Sequence, residues 1–392
     1  MKVDRRHFIE MTAATAAACA SGAAVQSSPE LHTPLCDLLG IRHPIVQAGM
    51  AGVAGPDLVA AVSRAGGLGI LTGTLLPPDE LRKRIHRVRE LTDKPFGVNL
   101  LLHHDLQPPK SLEDPSRAAP VQRILNRFRT ALGLPNHDAA PPAVPDLLGK
   151  AMDILIDEKV PVWSIGLGIP TAEMVDRFHK NAAKVIVMAA TVDDAEQMAA
   201  AGVDAIIAQG SEAGGHRSTS VKRASTQEAN IGCVALVPQI ADRVRVPVIA
   251  AGGIVDGRGL AAALALGASG VVVGTRFILS RESIAPQCHK DALLHSSSDA
   301  TVVSDAFTGM YARVVRNDFT NAFAGEPVLP PFLQFQAAAD VVQAAGAQNR
   351  GEYYTLYGGQ GIGSMRDLPP AAEIVEGIVR QAVDIIRRMR QS

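Results

Sequence analysis

The feature that most constrains the fold is an alternation of short apolar runs with amphipathic segments, which begins near residue 43. Several runs are unbroken stretches of Val, Ile and Ala, which is typical of parallel strands buried on both faces. The runs are Pro44–Gly49, Gly67–Thr72, Phe96–Leu101, Val162–Gly166, Lys184–Ala189, Ala205–Gln209, Val246–Ala251 and Gly270–Phe277. Eight strands with helices between them predict an α/β fold, a (β/α)₈ TIM barrel. A doubly wound open sheet is the alternative, but the sequence has no early Gly-x-Gly-x-x-Gly to support it.

Capping residues predict where helices begin between these strands. Pro or Asp precedes the helical stretches Leu58–Arg64, Glu80–Leu91, Asp194–Ala200 and Arg258–Leu266, and Gly267 follows the last one as a stop signal. We therefore assign residues 29–280 to the barrel.

Two segments depart from the repeat and predict an accessory region. Residues 103–160 are Pro-rich and contain an amphipathic helix near Val121–Leu132, which indicates an enlarged loop or helical insertion. Residues 281–355 predict a smaller, mostly helical lobe beside the barrel mouth. Residues 356–392 predict a C-terminal segment whose amphipathic helix, Pro370–Arg390, closes the barrel.

Composition limits the class of protein. Hydrophobic residues make up 47% and charged residues 20%, so the chain can bury a large core. Lys and Arg number 38 against 39 Asp and Glu, and aromatic residues are 4%, which argues against binding of nucleic acid. No 18-residue apolar run follows the N-terminal region, so no membrane span is expected. The four cysteines are far apart and predict neither a metal site nor a disulfide framework: Cys19, Cys36, Cys233 and Cys288.

Residues 1–28 have the pattern of a signal peptide. The adjacent Arg5 and Arg6 precede an uncharged, Ala-rich stretch with small residues near Ala24. The segment resembles the twin-arginine export signal, although Asp4 and Glu10 depart from its consensus. The expectation is an exported, periplasmic protein; a cytoplasmic protein with an N-terminal tail is the alternative.

Glycines concentrate where the last three strands of the barrel end. They occur in Gln209–Arg217, Ala251–Ile254 and Gly274–Phe277. Barrel enzymes keep their active sites at the C-terminal ends of the strands, and glycine-rich turns after the last two strands often bind phosphate through bare backbone N–H groups. The glycines therefore predict a phosphate site at this end.

These motifs together resemble the nitronate monooxygenase family, formerly called 2-nitropropane dioxygenase. The resemblance covers residues 35–390 and rests on Gln47–Met50, Phe96–Asn99, Gln209–Arg217, Ala251–Ile254, Gly274–Phe277 and Gly358–Ile362. It implies an FMN-dependent TIM barrel that oxidises alkyl nitronates with O₂ to carbonyl compounds and nitrite. The implied partners are a nitronate or related carbon acid and O₂, and the oligomeric state stays open, a homo-oligomer included.

The resemblance also implies the cofactor-binding residues. They are Met50, Asn99, Gln209, Gly214, Gly215, Gly252, Gly253, Gly274 and Thr275. The amides of Asn99 and Gln209 suit the donor and acceptor edge of an isoalloxazine ring. Met50 would pack on the ring, while Gly253, Gly274 and Thr275 would bind the phosphate.

His216 matches the catalytic histidine of the family. An imidazole titrates near neutrality, so it can take the α-proton of a nitroalkane or hydrogen-bond an anionic nitronate. Glu212 is expected to shape the loop as an ion-pair partner rather than act as a second base. The polar stretch Ser218–Gly232 departs from the family pattern and predicts a mobile lid. Three tyrosines are expected to line the pocket or to pack in the core: Tyr353, Tyr354 and Tyr357.

Three other functions remain open. The same barrel supports NAD(P)H-dependent flavin reductases that act on quinones or enoyl thioesters. A resemblance to inosine-monophosphate dehydrogenases would make Cys233 a nucleophile, but its setting lacks their Gly-Ser-x-Cys pattern. A non-enzymatic flavin-binding or ligand-binding module is the third.

Overall fold

The apolar runs form eight parallel strands of one sheet in the computed structural model, which describes residues 31–102, 111–112, 114–143, 146–218 and 230–391. These strands are β1 (Ile45–Gln47), β2 (Gly69–Thr72), β3 (Phe96–Leu100), β4 (Val162–Ile165), β5 (Lys184–Ala189), β6 (Ala205–Gln209), β8 (Val248–Ala251) and β9 (Gly270–Val273). The two-residue β7 (Gly215–His216) belongs to a second sheet with β10 (Thr301–Ser304) and β11 (Ala312–Val315).

The large sheet curls until its first two strands meet. Its strand order is β1-β9-β8-β6-β5-β4-β3-β2, and a parallel bridge between Val46 and Leu68 brings β1 against β2. Gln47 strengthens this junction, because its backbone N–H donates to the Leu68 carbonyl at 2.8 Å and its Oε1 accepts from the Ile70 N–H at 3.1 Å. The predicted (β/α)₈ barrel is confirmed, and the open-sheet alternative is wrong.

The interior of the barrel is filled by alternate side chains of the strands. Members of this cluster include Val46, Ile70, Val162, Ile186, Ile207, Ile249 and Val272, all at least 95% buried. The helix Pro34–Leu39 closes the N-terminal end, since Leu35 packs into the same cluster and Thr33 donates to the Ser269 carbonyl at 2.6 Å. The interior is therefore a packed core that leaves only the C-terminal end for a site.

Helices cover the outside of the barrel and form the accessory lobe. They are Pro34–Leu39, Pro56–Arg64, Pro78–Leu91, Ala118–Leu132, Leu148–Asp157, Ala172–His179, Val192–Ala200, Cys233–Arg243, Gly257–Ala265, Thr275–Ile278, Gln287–His295, Asp318–Ala322, Leu333–Ala347 and Ala371–Gln391. Short 3₁₀ helices occupy Pro115–Arg117, Ser298–Ala300, Gly351–Tyr353 and Gln360–Ser364. Local signals explain several starts: the side chains of Thr171, Thr191 and Asp256 each accept a hydrogen bond from a backbone N–H in the first turn.

The structure corrects several predicted boundaries. The eighth predicted strand, Gly270–Phe277, ends at Val273, and Thr275–Ile278 forms a helical turn instead. A continuous apolar run cannot by itself distinguish a buried strand from a buried helical turn. Cys233 is the first residue of the helix Cys233–Arg243.

The accessory lobe has its own core and contains more than helices. The helix Ala118–Leu132 packs on Leu333–Ala347 through residues such as Leu125 and Val341, and Arg129 pairs with Asp340 at 2.7 Å. The predicted insertion thus contributes a helix to the lobe. The 281–355 segment also holds β10 and β11, so the prediction of a mostly helical segment omitted these two strands.

Several expectations fall outside the described residues. These are the signal peptide of residues 1–28 and residues 219–229 of the predicted lid. Within the described ranges, no helix combines the length and apolar character that a bilayer crossing needs.

Candidate active site

The C-terminal ends of β1, β3 and β9 bring three predicted cofactor residues together. A Cβ placed on Gly49 would lie 2.6 Å from the Cβ of Asn99, so the loop after β1 contacts β3 closely. A Cβ placed on Gly274 would lie 3.7 Å from the Sδ of Met50. Met50, Asn99 and Gly274 therefore line the same mouth, although they are far apart in the chain.

Asn99 presents an amide at this mouth. Its side chain is 7% exposed, and Nδ2 donates to the Oγ of Ser164 at 3.2 Å and to the Ser164 carbonyl at 3.3 Å. Its Oδ1 accepts no hydrogen bond from the residues that the structure describes. Gly166 beside it leaves space, because a Cβ there would stand 3.4 Å from both polar atoms of the amide. The site thus retains an acceptor for a ligand.

Gln209 anchors the loop that carries His216. Its Nε2 donates to the His216 carbonyl at 2.8 Å, and its Oε1 accepts from the Ser218 N–H at 2.8 Å. The amide keeps a second N–H on Nε2 that can meet a ligand. The structural role of Gln209 was missed at the sequence level, since nothing in the local pattern distinguishes a loop anchor from a ligand contact.

His216 lies on β7, at the junction of the barrel and the accessory lobe. Gly215 before it has φ +78° and open space where a Cβ would stand, a conformation that favours glycine. Backbone pairing with Ala312 on β11 holds His216 in register. Its Nε2 lies 3.0 Å from the Oγ1 of Thr308, and its ring centroid is 5.6 Å from that of Tyr357.

Thr308 is a neighbour of His216 that the sequence did not reveal. Its hydroxyl also donates to the Met310 carbonyl at 3.2 Å and accepts from the Met310 N–H at 3.3 Å. A hydroxyl can donate or accept, so the direction of its contact with Nε2 of His216 depends on the tautomer of the imidazole. The residues that lie close to His216 in space come from distant segments of the chain, and no sequence motif marks them.

Glu212 binds the N-terminus of a helix through its carboxylate. Both oxygens of its carboxylate accept from the backbone N–H of Cys233, at 3.0 and 2.9 Å, at the N-terminus of Cys233–Arg243. Burial, followed by the charge of Glu212, raises the pKa of the Cys233 thiol to about 11. A thiol with so high a pKa is a poor nucleophile, which argues against the dehydrogenase-like alternative.

Two buried arginines lie behind the loop. Arg217 donates to the carbonyls of Gly210 at 2.9 Å and Gln209 at 3.2 Å, and Arg313 donates to the Ser211 carbonyl at 2.9 Å. Burial and then the proximity of Arg313 lower the pKa of Arg217 to about 10, so it stays charged at neutral pH. The negative charge of Glu212 acts in the opposite direction on the pKa of both Arg217 and Arg313.

Four backbone N–H groups form a cradle after the last two strands of the barrel. They belong to Gly252, Gly253, Gly274 and Thr275, and within the described part of the chain they donate no hydrogen bond. Gly252 has φ +115° and Gly253 φ +70°, which turns the backbone into a concave arrangement. Unpaired donors of this kind need an acceptor, and a phosphate supplies several oxygens. The cradle is therefore a candidate site for a phosphate group.

The C-terminal glycines close the other side of the cradle. A Cβ on Gly214 would lie 2.6 Å from the backbone nitrogen of Gly359, so these two segments touch through bare backbone. The Gly359 N–H donates to the Oγ1 of Thr275 at 3.0 Å, and the Gln360 N–H donates to the Glu212 carbonyl at 2.9 Å. The Gly358–Ile362 motif thus connects the cradle to the His216 loop.

The three tyrosines have different surroundings, and Tyr354 packs against both the barrel core and the lobe core. Tyr357 lies beside His216, and desolvation raises the pKa of its phenol. Tyr353 belongs to the lobe core, with its ring centroid 5.2 Å from that of Phe128. Nε2 of the buried His289 donates to the Tyr357 carbonyl at 2.7 Å, and burial lowers the pKa of this histidine to about 4.

Comparison with known proteins gives a consistent result. The family model for nitronate monooxygenase matches residues 32–381. The chain is 36% identical over 363 residues to a probable nitronate monooxygenase of Staphylococcus saprophyticus, covering 92% of this chain and 100% of that protein. The structure of nitroalkane oxidase from Streptomyces ansochromogenes is similar with a TM-score of 0.80 and 33% identity, over 91% of this chain and 99% of that one. FabK from Thermotoga maritima is similar with a TM-score of 0.74 and 33% identity, over 92% and 99%.

Proposed function

The chain belongs to the nitronate monooxygenase family and is an oxidoreductase, and on this premise we propose that it uses FMN and O₂ to oxidise alkyl nitronates to carbonyl compounds and nitrite. The observation that carries the proposal is the position of His216, which lies at the C-terminal mouth of the barrel on a glycine-framed strand and contacts Thr308 at 3.0 Å. The similarity to nitroalkane oxidase supports the same substrate class.

The residues of the mouth fit FMN. The N–H groups of Gly252, Gly253, Gly274 and Thr275 would bind its phosphate. Asn99, Gln209 and Met50 would contact the ring, the first two by hydrogen bonds and Met50 by packing. Gly214 and Gly215 would let the loop approach the cofactor closely. When bound, FMN would supply the electron transfer between the substrate and O₂.

His216 would handle the proton or the negative charge of the substrate. An imidazole can accept a proton through its unprotonated nitrogen and can donate a hydrogen bond through an N–H. With a nitroalkane, the neutral ring would take the α-proton; with a nitronate, an N–H of the ring would donate to a nitro oxygen. Thr308 would hold the ring in position for either role.

The test is turnover by the purified holoenzyme. We expect a yellow flavin spectrum, and O₂ consumption with equal nitrite release when ethane nitronate or propane-2-nitronate is added. His216→Asn should lower kcat/KM at least a hundredfold, which is the range for loss of a general base. His86→Asn is the matched control, because His86 is exposed on the outer helix Pro78–Leu91. Protein without bound flavin, or a His216→Asn variant with full turnover, would contradict the proposal.

A flavin reductase that uses NAD(P)H is the second candidate. The 33% identity to FabK equals the identity to nitroalkane oxidase and supports this alternative. Anaerobic mixing separates the two functions. Under the first proposal NAD(P)H leaves the flavin absorbance unchanged and a nitronate changes it, whereas bleaching by NAD(P)H alone supports the reductase.

A further inference from the structure

A small apolar cluster stands at the barrel mouth apart from the main cores. Phe332 is 3% exposed, and the partly buried side chains of Leu75, Leu101 and Met310 pack against it. We call these four residues the apolar wall. None of them was singled out by the sequence, and none takes part in the proton chemistry or cofactor contacts described above.

The apolar wall is built from both parts of the fold. Leu75 lies in the loop after β2, and Leu101 directly follows β3, so both stand at the C-terminal ends of barrel strands. Met310 lies in the turn between β10 and β11, and Phe332 immediately precedes the helix Leu333–Ala347. The wall therefore forms where the accessory lobe meets the mouth of the barrel.

One end of the wall is tied to the histidine. Thr308, whose Oγ1 lies 3.0 Å from Nε2 of His216, also accepts from the Met310 N–H at 3.3 Å through that oxygen. The carbonyl of Thr308 accepts from the Phe332 N–H at 3.1 Å. A single residue thus positions both the imidazole and the two lobe members of the wall.

The other end reaches the amide of Asn99. The position of a Cβ on Gly166 lies 2.8 Å from Cδ2 of Leu101 and 3.4 Å from the polar atoms of the Asn99 amide. Leu101 and Asn99 are therefore neighbours around the space that glycine leaves. The apolar wall extends between the two polar groups of the site.

The backbone of the wall is strained. Leu75 has φ +60° and Phe332 φ +65°, and they are two of five non-glycine residues with positive φ in the described chain. Non-glycine residues rarely adopt a backbone conformation with positive φ. Such strained residues concentrate at functional sites. Here both of them contribute side chains to one cluster.

We propose that the apolar wall binds the hydrocarbon part of the substrate, so that the enzyme selects nitronates with an extended alkyl chain over methane and ethane nitronate. The inference rests on the proposed function and specifies its substrate class. A polar head between His216 and Asn99 places the alkyl chain against the wall, because the wall extends between these two residues. Burial of one methylene strengthens binding by about fourfold.

The experiment compares chain lengths in two ways. The holoenzyme is assayed for kcat/KM with the nitronates of ethane, butane and hexane. It is also titrated with acetate, butanoate and hexanoate, which mimic the anionic head but cannot be oxidised, and binding is followed by the flavin absorbance. We expect both series to rise with chain length, by two- to fourfold per methylene.

Three variants test whether the increase of kcat/KM and of carboxylate binding with chain length depends on the apolar wall. Met310→Gln keeps the length of the side chain but makes it polar, and should flatten both series. Met310→Leu should preserve them. Ile284→Gln is the matched surface control, because Ile284 is 54% exposed and lies outside the wall.

The outcomes separate the two proposals. Turnover of all nitronates with a flat chain-length series, or a series unchanged by Met310→Gln, overturns the wall and leaves the proposed function intact. The opposite result is also possible: carboxylate binding rises with chain length and falls in Met310→Gln, but no nitronate is turned over. That result retains the wall as an apolar ligand subsite and overturns the proposed function.

Discussion

Nε2 of His216 and Oγ1 of Thr308 lie 3.0 Å apart and are separated by 92 residues in the chain. The contact joins β7, which follows a barrel strand, to the turn between β10 and β11 in the accessory lobe. The position of the imidazole therefore depends on how the lobe packs against the barrel.

Replacing the Thr308 hydroxyl tests this dependence. Thr308→Val keeps the shape of the side chain and removes the hydrogen bond, which contributes about 1 kcal/mol or more. We expect kcat/KM for a nitronate to fall about tenfold and its pH profile to shift. Thr308→Ser, which restores the hydroxyl, should stay within about threefold of the parent. Equal pH profiles for the Val and Ser variants would contradict a positioning role.

The contact between Gly214 and Gly359 can be tested through stability. A Cβ on Gly214 would stand 2.6 Å from a backbone nitrogen, so Gly214→Ala must push the two segments apart. We expect a loss of about 1–3 kcal/mol in the free energy of unfolding and weaker flavin retention. Thermal unfolding and the flavin content after dialysis measure both.

Gly377 provides the matched control for that substitution. It lies inside the helix Ala371–Gln391, and among the described residues no heavy atom outside the adjacent turns of its own helix stands within 4 Å of the position of its Cβ. Gly377→Ala should therefore raise stability by about 0.5–1 kcal/mol. A Gly214→Ala variant as stable as Gly377→Ala would refute the close approach.

Glu212→Gln distinguishes a structural carboxylate from a second base. The variant keeps an acceptor for the Cys233 N–H but loses the charge, so we expect a stability loss of about 1–2 kcal/mol with nitronate turnover largely retained. Urea unfolding and nitrite release measure the two effects.

Glu282→Gln is the comparison for Glu212. Its Oε2 accepts from the Ala371 N–H at 2.9 Å at the start of the last helix, the same kind of contact in a different place. Glu282→Gln should lower the free energy of unfolding by a similar amount. Abolished turnover in a folded, flavin-loaded Glu212→Gln enzyme, with Glu282→Gln active, would instead identify Glu212 as a base.

The buried His289 leads us to expect that the protein is less stable in acid. Burial lowers its pKa from 6.5 to about 4, so the unfolded chain binds a proton in this interval that the folded protein does not. The free energy of unfolding should fall as pH decreases from about 6.5 to 4, by about 1.4 kcal/mol per pH unit from this group. His289→Gln, which can still donate to the Tyr357 carbonyl, should remove that part of the slope. Urea unfolding at pH 7.5, 6 and 5 measures it, and parallel slopes would disprove the assignment.

We propose that the N-terminal segment directs export. Replacing Arg5 and Arg6 together by Lys should retain the protein in the cytoplasm, because the adjacent arginines carry the resemblance to a twin-arginine signal. Lys2→Arg, a basic residue outside the pair, is the control. Cell fractionation followed by immunoblotting is the measurement, and periplasmic recovery of the double variant would exclude this route.

Much of the barrel follows from local patterns in the sequence. All eight predicted runs contain the observed strands, and the capping signal at Asp256 marks the start of Gly257–Ala265. The errors are equally local in origin. Gly270–Phe277 continues as an apolar run after its strand ends, and β7 is too short to have a pattern of its own.

The sequence by itself determined the eight repeats and the glycine turns, because periodicity and backbone freedom are properties of neighbouring residues, and its resemblance to a known family marked His216 as a candidate. Only the tertiary structure decided that Gln209 anchors the His216 loop, that Glu212 holds a helix N-terminus and that Thr308 contacts the imidazole. It also decided which apolar side chains meet at the mouth. These contacts join segments far apart in the chain, and their partners are selected by the packing of the lobe on the barrel rather than by any local pattern.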